Sequence, residues 1–113
     1  MSLLAELNTI LDGLGVPVET GIFTGVPPGE YVVLTPLVDD FALFGDNQPL
    51  IDVSEVRLSV FSKQNYRSLA NLIVKALLEA DITITDRRYL GYEEESEYHH
   101  YVVDGAKHYE LEE

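Results

Sequence analysis

Three histidines lie close together near the end of the sequence: His99, His100 and His108. Imidazole binds metals and transfers protons near neutral pH. Adjacent residues of a strand point to opposite faces of a sheet, so His99 and His100 are not expected to bind one ion together. A zinc site also needs a third protein ligand, and the nearest acidic donors are the run Glu93-Glu94-Glu95-Ser96-Glu97. We therefore favour a structural or surface role for the histidines over a metal site.

Neighbouring carboxylates are common in the chain, as in Asp39-Asp40 and in the 93–97 run. General acid–base catalysis needs carboxylates in different, partly buried environments, and adjacent acids on exposed loops do not have them. The sequence has no nucleophile elbow, P-loop or dinucleotide fingerprint, and it has no cysteine. We predict no enzyme, no catalytic residue and no cofactor. A metal-dependent enzyme using His99, His100 and the glutamates is the least favoured hypothesis.

Arg87-Arg88 is the only pair of adjacent basic residues, and it follows Asp86. One interpretation is local charge balance. The other is that one arginine crosses a subunit interface to meet an acidic loop of a neighbour, since arginine and tyrosine are enriched at interface hot spots. The chain has seven tyrosines and no tryptophan.

The overall charge narrows the range of partners. Twenty acidic and seven basic residues give a net charge of −13. Such a surface repels phosphate backbones and anionic lipid, so we expect neither sequence-specific nucleic-acid binding nor membrane association. No apolar run approaches the ~18 residues of a membrane-spanning helix. The acidity serves either solubility or a surface past which a polyanion moves without binding.

The elements that position these residues centre on a strand followed directly by a helix. Alternating apolar residues predict a strand over 54–62, and a 3.6-residue period predicts a helix over 65–80. Asn65 suits the N-cap of that helix. Its apolar stripe consists of Tyr66, Leu69, Ala70, Ile73, Val74, Leu77 and Leu78.

The remaining pattern predicts a single α+β domain over 1–113. Ser2 caps a helix over 2–13, and strands are expected at about 16–23, 30–37, 82–92 and 98–110. A Pro/Gly turn at 25–29 predicts that the first two strands pair as a hairpin, and Gly105 predicts a bulge or bend. The expected fold is a mostly antiparallel (mixed) sheet of four to five strands with both helices on one face.

The segment 36–52 mixes acidic and aromatic residues without a clear period, and it predicts a long loop. Its aromatic side chains either fold back onto the sheet or pack on another subunit, in which case the loop is an arm. The candidate subunit-interface residues are Phe41, Leu43, Phe44 and Asp46 of this segment, together with Arg87 and Arg88.

Several stretches taken in order resemble a known family. They are Leu14-Gly15-Val16-Pro17-Val18, Tyr31-Val32-Val33, Phe44-Gly45-Asp46-Asn47, the strand 56–62, the helix 69–80, and Tyr98-His99-His100-Tyr101. This order is similar to that of the small tail-terminator or tail-completion (head–tail joining) proteins of long-tailed bacteriophages and prophages. The resemblance covers most of the chain and is one of pattern and order.

The resemblance implies a protomer that assembles into a ring, commonly of six copies, which caps the tail tube and lets DNA pass. Its partners would be other copies of itself, the tail-tube protein and the head connector. It would be found at the tail–head junction of the virion, and in the host cytoplasm during assembly. The resemblance implies no cofactor and no catalytic residue. The alternative is a bacterial protein-binding module of α+β type that acts through the 36–52 loop.

Overall fold

The computed structural model describes residues 2–45 and 48–110, and this part of the chain forms two helices and one five-stranded mixed sheet. The elements are α1 (Leu3–Gly13), β1 (Val18–Thr20), β2 (Glu30–Gly45), β3 (Gln48–Ser62), α2 (Tyr66–Glu79), β4 (Thr83–Glu93) and β5 (Tyr98–Glu110). The strand order across the sheet is β1-β2-β3-β5-β4. The α+β fold with helices packed on the sheet is therefore confirmed.

Both helices begin at the side-chain caps that the sequence predicts. The hydroxyl of Ser2 accepts a hydrogen bond from the Ala5 amide at 3.1 Å, and Asn65 Oδ1 accepts from the Ser68 amide at 3.1 Å. Each cap satisfies one of the amide groups that the first turn of a helix leaves without a partner. The predicted starts of α1 and α2 are thus correct to within one residue.

The core lies between the two helices and one face of the sheet. Every third or fourth residue of the helices is buried there, and so is every second residue of the central strands. Leu78, which the sequence places in the apolar stripe of α2, is 58% exposed, because it lies past the edge of the helix surface that meets the sheet. The buried core consists of Leu3, Leu7, Leu11, Val16, Val32, Leu34, Val56, Leu58, Val60, Leu69, Ile73, Leu77, Ile82 and Val103.

The first strand differs from its prediction in both length and direction. β1 has three residues, and it pairs parallel with β2 in the register Val18↔Val32, so the predicted hairpin is wrong. The Val32 amide donates to the carbonyl of Pro17 at 2.9 Å, and the Gly21 amide donates to the carbonyl of Leu34 at 2.8 Å. Because β1 is so short, the segment 21–29 is long enough to carry the chain back and start β2 in the same direction.

The predicted loop at 36–52 is also wrong, because β2 and β3 continue through it as a long antiparallel hairpin. The register shifts at Pro36/Val38, at Phe41/Leu43 and again just before Phe44. Each such bulge adds a residue to one strand and reverses the alternation of side chains. The apolar residues therefore lose the period of two that would have indicated a strand.

The hairpin makes the molecule long. Its extents are 54 × 26 × 24 Å, and the 15 residues of β3 alone would span about 50 Å at ~3.3 Å per residue. The radius of gyration is 15.3 Å, whereas a compact chain of this length is expected at about 13 Å. We define the arm as residues 38–53, which lie beyond Leu34 and Val56, the buried apolar residues described for β2 and β3 that are nearest to it.

Gly105 does not form the bulge that the sequence predicts, because β3 and β5 pair without interruption from Ile51↔Glu110 to Ser62↔His99. The pairing of β4 with β5 is irregular at two places in β4, between Ile84 and Asp86, opposite Gly105, and between Tyr89 and Gly91. A Cβ atom at Gly105 would lie 3.0 Å from Cγ2 of Ile82, at the connection between α2 and β4. A side chain at residue 105 would therefore crowd Ile82, which would have to shift by a few tenths of an ångström.

Candidate assembly interface

The arm carries most of the predicted interface residues. Phe41, Leu43 and Phe44 occupy β2 near its far end, opposite residues 49–52 of β3, while Asp46 lies outside the described residues. In sequence the arm contains four acidic residues and no lysine or arginine. Its acidic residues are Asp39, Asp40, Asp46 and Asp52.

One edge of the arm lacks a neighbouring strand in the described part of the chain. β1 pairs with β2 only over Val32–Leu34, so the outer edge of β2 is open beyond Leu34. Pro36 lies on this edge, where its missing N–H removes no hydrogen bond of a central strand. Proline and acidic side chains on an open edge oppose uncontrolled pairing with other strands. The open edge of β2 is therefore protected against nonspecific pairing with other strands, and it is better suited to a specific contact.

The two arginines proposed for the interface lie on opposite faces of the sheet. Arg87 pairs with Val103 of the core and so faces the helices, whereas Arg88 pairs with Val102 and faces away. Arg88 Nε donates to Asp86 Oδ2 at 2.9 Å. Arg88 is therefore balanced by the neighbouring carboxylate of Asp86, as the first interpretation expects. Arg87 lies on the opposite face of the sheet and is not part of this ion pair.

Arg87 lines a groove between α2 and the strands β4 and β5. We call it the tyrosine groove; its volume is about 410 Å³. Two turns of α2 form one wall, and exposed side chains of the edge strand β4 form the other. Its lining residues are Tyr66, Arg67, Ala70, Asn71, Arg87, Tyr89 and Tyr101.

The tyrosine groove holds two arginines that have no carboxylate partner among the described residues. Within the described residues, Arg57, Arg88 and Lys107 form ion pairs, and Lys63 lies 5.0 Å from the ring centroid of Tyr98. Arg67 and Arg87, both exposed, form no ion pair within that part of the chain. The groove is therefore a local basic site on a strongly acidic molecule.

Stacked rings fix the shape of the groove. The Tyr66 ring lies 4.8 Å from that of Tyr89 and 5.8 Å from that of Tyr101, at interplanar angles near 30° in both cases. The hydroxyl of Tyr89 is 2.9 Å from Nδ1 of His99. The Tyr89 side chain is nevertheless 43% exposed. A rigid aromatic surface that remains accessible is typical of interface anchors.

A second aromatic cluster covers the sheet face opposite the helices. Tyr31 stacks on Phe61 at 4.8 Å, Phe61 stacks on His100 at 4.2 Å, and Phe23 tilts against Tyr31 at 4.7 Å. Tyr98 meets Tyr31 edge-on, and its hydroxyl donates to the carbonyl of Pro28. These contacts hold the 21–29 segment against the sheet. The cluster has a structural explanation and presents no converging catalytic groups.

The histidines lie on two faces, as the alternation of a strand requires. His99 contacts Tyr66 and Tyr92 on the helix side, while His100 stacks on Phe61 on the other side. His100 Nε2 is buried and has no hydrogen-bond partner in the described part of the molecule. Across residues 2–45 and 48–110, no group of three His, Cys, Asp or Glu side chains is arranged to hold a metal ion.

One polar cluster connects both helices to the base of the arm. Lys107 Nζ donates to Glu6 Oε1 at 2.8 Å and to the carbonyl of Ala80, which follows α2, at 2.9 Å. The hydroxyl of Tyr109 donates to the other oxygen of Glu6. Burial alone would raise the pKa of Glu6, but the hydrogen bonds from Lys107 and Tyr109 outweigh it and hold the pKa below its ordinary value.

A bidentate ion pair lies at the centre of the sheet face opposite the helices. Arg57 Nε and Nη2 donate to the two carboxylate oxygens of Asp104 at 2.9 and 3.0 Å. Asp104 is 5% exposed, and Arg57 supplies the opposite charge and the hydrogen bonds that a buried carboxylate needs. The pair fixes the pairing of β3 with β5 and leaves neither group available for a ligand.

Sequence reasoning found Arg87 but missed the residues that join it in the groove. Tyr66, Arg67 and Asn71 belong to α2, and Tyr89 and Tyr101 belong to β4 and β5. The spacing of Arg67 and Asn71, one helical turn apart, was the available signal, because it places both on one exposed face of α2. The packing of α2 against β4 could not be read from that spacing.

Comparisons with known proteins identify no family for this chain. No protein-family model matches it, and no curated protein matches it. In the described part of the chain, neither helix is long and apolar enough to cross a bilayer.

Proposed function

We propose that the chain is a structural assembly protein: a phage or prophage tail terminator or head–tail joining protein that forms a ring. The ring would cap the tail tube and let DNA pass. It would form in the host cytoplasm and occupy the tail–head junction of the virion. The proposal comes from the resemblance described above, and the feature that best supports it is the acidic arm.

A projecting arm suits a ring-forming protomer. A head-to-tail ring joins two different patches on each copy, and a projecting segment can supply one of them. The arm continues β2 and β3 past Leu34 and Val56, which are the core residues nearest to it in these strands, and the molecule is 54 Å long. A hairpin of this length is costly to order, and contact with a neighbouring chain would offset that cost.

The charge of the chain also agrees with passage of DNA. A net charge of −13 on 113 residues keeps a phosphate backbone from adhering to the inner wall of a ring. The two ion-paired arginines, Arg57 and Arg88, reduce the positive potential that DNA would meet on the sheet face opposite the helices. Such a surface allows a polyanion to pass without binding it.

The direct test is the oligomeric state. We expect the purified protein to form rings, commonly of six copies, at high concentration or once tail-tube protein is added. Light scattering would give the mass, and negative-stain images would show rings with a central opening. Added double-stranded DNA should not bind to them at physiological salt.

A strict monomer under both conditions would contradict the proposal. If deletion of the arm instead abolished capture of a cellular partner unrelated to any phage, the protein-binding module would be the better description. The genes that flank this one offer an independent check, because a tail-tube gene immediately downstream is expected.

A further inference from the structure

We infer that the tyrosine groove is the receptor for the acidic arm of a neighbouring copy. This inference rests on the proposed function, since it specifies which surfaces would join adjacent protomers. It commits to one occupant, the arm of a second copy of this chain, and to one type of contact, between arm carboxylates and the guanidinium groups of Arg67 and Arg87.

Charge complementarity selects the arm as the occupant. The arm contains four acidic residues and no basic one, whereas the groove holds two arginines without an internal partner among the described residues. A guanidinium binds a carboxylate through two parallel hydrogen bonds, which fixes orientation as well as charge. Lys63 and Lys75 also form no ion pair among the described residues, but the tyrosine groove brings two guanidinium groups together.

The composition of the two surfaces matches as well. The arm contains Phe41 and Phe44 beside its aspartates, and the groove is walled by Tyr66, Tyr89 and Tyr101. Aromatic side chains packed on tyrosine rings exclude water from nearby ion pairs and so strengthen them. At about 410 Å³ the groove has room for several side chains.

The position of the two surfaces makes the contact intermolecular. Tyr101 of the groove pairs with Val60 of β3, whereas the end of the arm begins at Gln48. Along β3, at ~3.3 Å per residue, Gln48 is about 40 Å from the level of Val60, and Val53 at the base of the arm is about 23 Å from it. Because the arm continues β2 and β3 away from the groove, it meets the groove of another copy rather than its own, and each contact joins one copy to the next in a head-to-tail manner.

The first experiment removes the positive charge of the groove. In the variant Arg67→Gln/Arg87→Gln both changed residues are exposed, so the fold should be retained. We expect its self-association to weaken at least about tenfold relative to the natural chain, and the association of the natural chain to weaken as salt rises. Analytical ultracentrifugation over a range of concentrations measures both effects.

The matched control is Lys63→Gln/Lys75→Gln, which removes the same amount of charge outside the tyrosine groove. It should associate like the natural chain. If the groove variant and the control associate equally well, the inference is wrong, although a ring would still support the proposed function. If the natural chain is monomeric in every condition, the proposed function and this inference both fail.

A mixing experiment tests the head-to-tail arrangement itself. The arm variant Asp39→Asn/Asp40→Asn/Asp52→Asn retains an intact groove, and the groove variant retains an intact arm. Each alone should be monomeric, while an equimolar mixture should form a one-to-one dimer and stop there. A mixture that remains monomeric would overturn the inference, as would one that restores full rings.

Discussion

At the scale of single residues, His100 combines burial with a missing hydrogen bond. Its ring stacks on Phe61, and its Nε2 has no partner within the described residues. Burial lowers the pKa of His100 below 6.5, the proximity of Arg57 lowers it further, and the proximity of Glu93 opposes both. The folded protein therefore favours the neutral imidazole.

This burial predicts how stability depends on pH. Below pH 6.5 the unfolded chain protonates His100 more readily than the folded chain does, so stability should fall from pH 6.5 towards the lower folded pKa. His100→Phe keeps the stack and removes the titration, and its stability should decline less over that range. Urea unfolding at several pH values between 7.5 and 5.5 measures the difference.

The control for this prediction is His108→Gln, because His108 is exposed at the other end of β5. The pH profile of this control should follow that of the natural chain. Identical profiles for all three proteins would mean that His100 is protonated as easily in the folded state as in the unfolded state.

At the scale of elements, α2 carries the most complete pattern in the sequence and much of the core. Ile73 is fully buried, and Leu78, on the same helix, is 58% exposed. Truncation of a buried isoleucine to alanine costs ~2–5 kcal/mol, a large part of a typical ~5–15 kcal/mol total. Ile73→Ala should therefore be severely destabilising in chemical denaturation, whereas Leu78→Ala and Lys75→Ala should each change the free energy of unfolding by less than ~1 kcal/mol.

The comparison of Ile73 with Leu78 also tests the orientation of α2. Equal losses from Ile73→Ala and Leu78→Ala would mean that the helix is rotated from the orientation described here. If Ile73→Ala left the free energy of unfolding unchanged, Ile73 would not belong to the buried core.

The elements that the sequence predicts well are those whose pattern is local. The caps Ser2 and Asn65, and the helical stripes that follow them, depend only on neighbouring residues. β1 could not be predicted in the same way, because its parallel pairing depends on where the 21–29 segment returns the chain. The arm was missed because its bulges reverse the alternation of side chains within a few residues.

At the scale of the whole molecule, the protein consists of a compact body and the arm, which projects from it. Asp39 pairs with Ser54 across the hairpin, so replacing residues 40–53 by Asn-Gly would close it with a two-residue turn. The body should still fold, since its buried apolar residues are retained. The trimmed protein should have a radius of gyration of about 13 Å and no self-association. Small-angle scattering and ultracentrifugation measure these two properties.

The control for the trimmed protein is a full-length chain at a concentration low enough to be monomeric, which should remain close to 15.3 Å. A trimmed protein that still assembles would place the contact between copies elsewhere. A trimmed protein that does not fold would mean that the arm stabilises the body.

The candidate interface was predictable only in part, for a physical reason. Composition alone indicated an acidic, aromatic segment and a basic pair. Arg87 and Arg88 are adjacent in sequence, however, and the pleat of β4 sends them to opposite faces, so only one of them joins the groove. The arginine that accompanies it, Arg67, comes from α2 and meets β4 through the tertiary fold.

The open edge of β2 has a practical consequence for handling the protein. At neutral pH the aspartates of the arm oppose direct pairing of this edge with the same edge of another molecule. Near the isoelectric point the repulsion between molecules is weakest, and the open edge beyond Leu34 can then pair with its counterpart on another copy. Storage under those conditions should therefore produce fibrous precipitates that bind amyloid dyes, whereas storage at neutral pH should not.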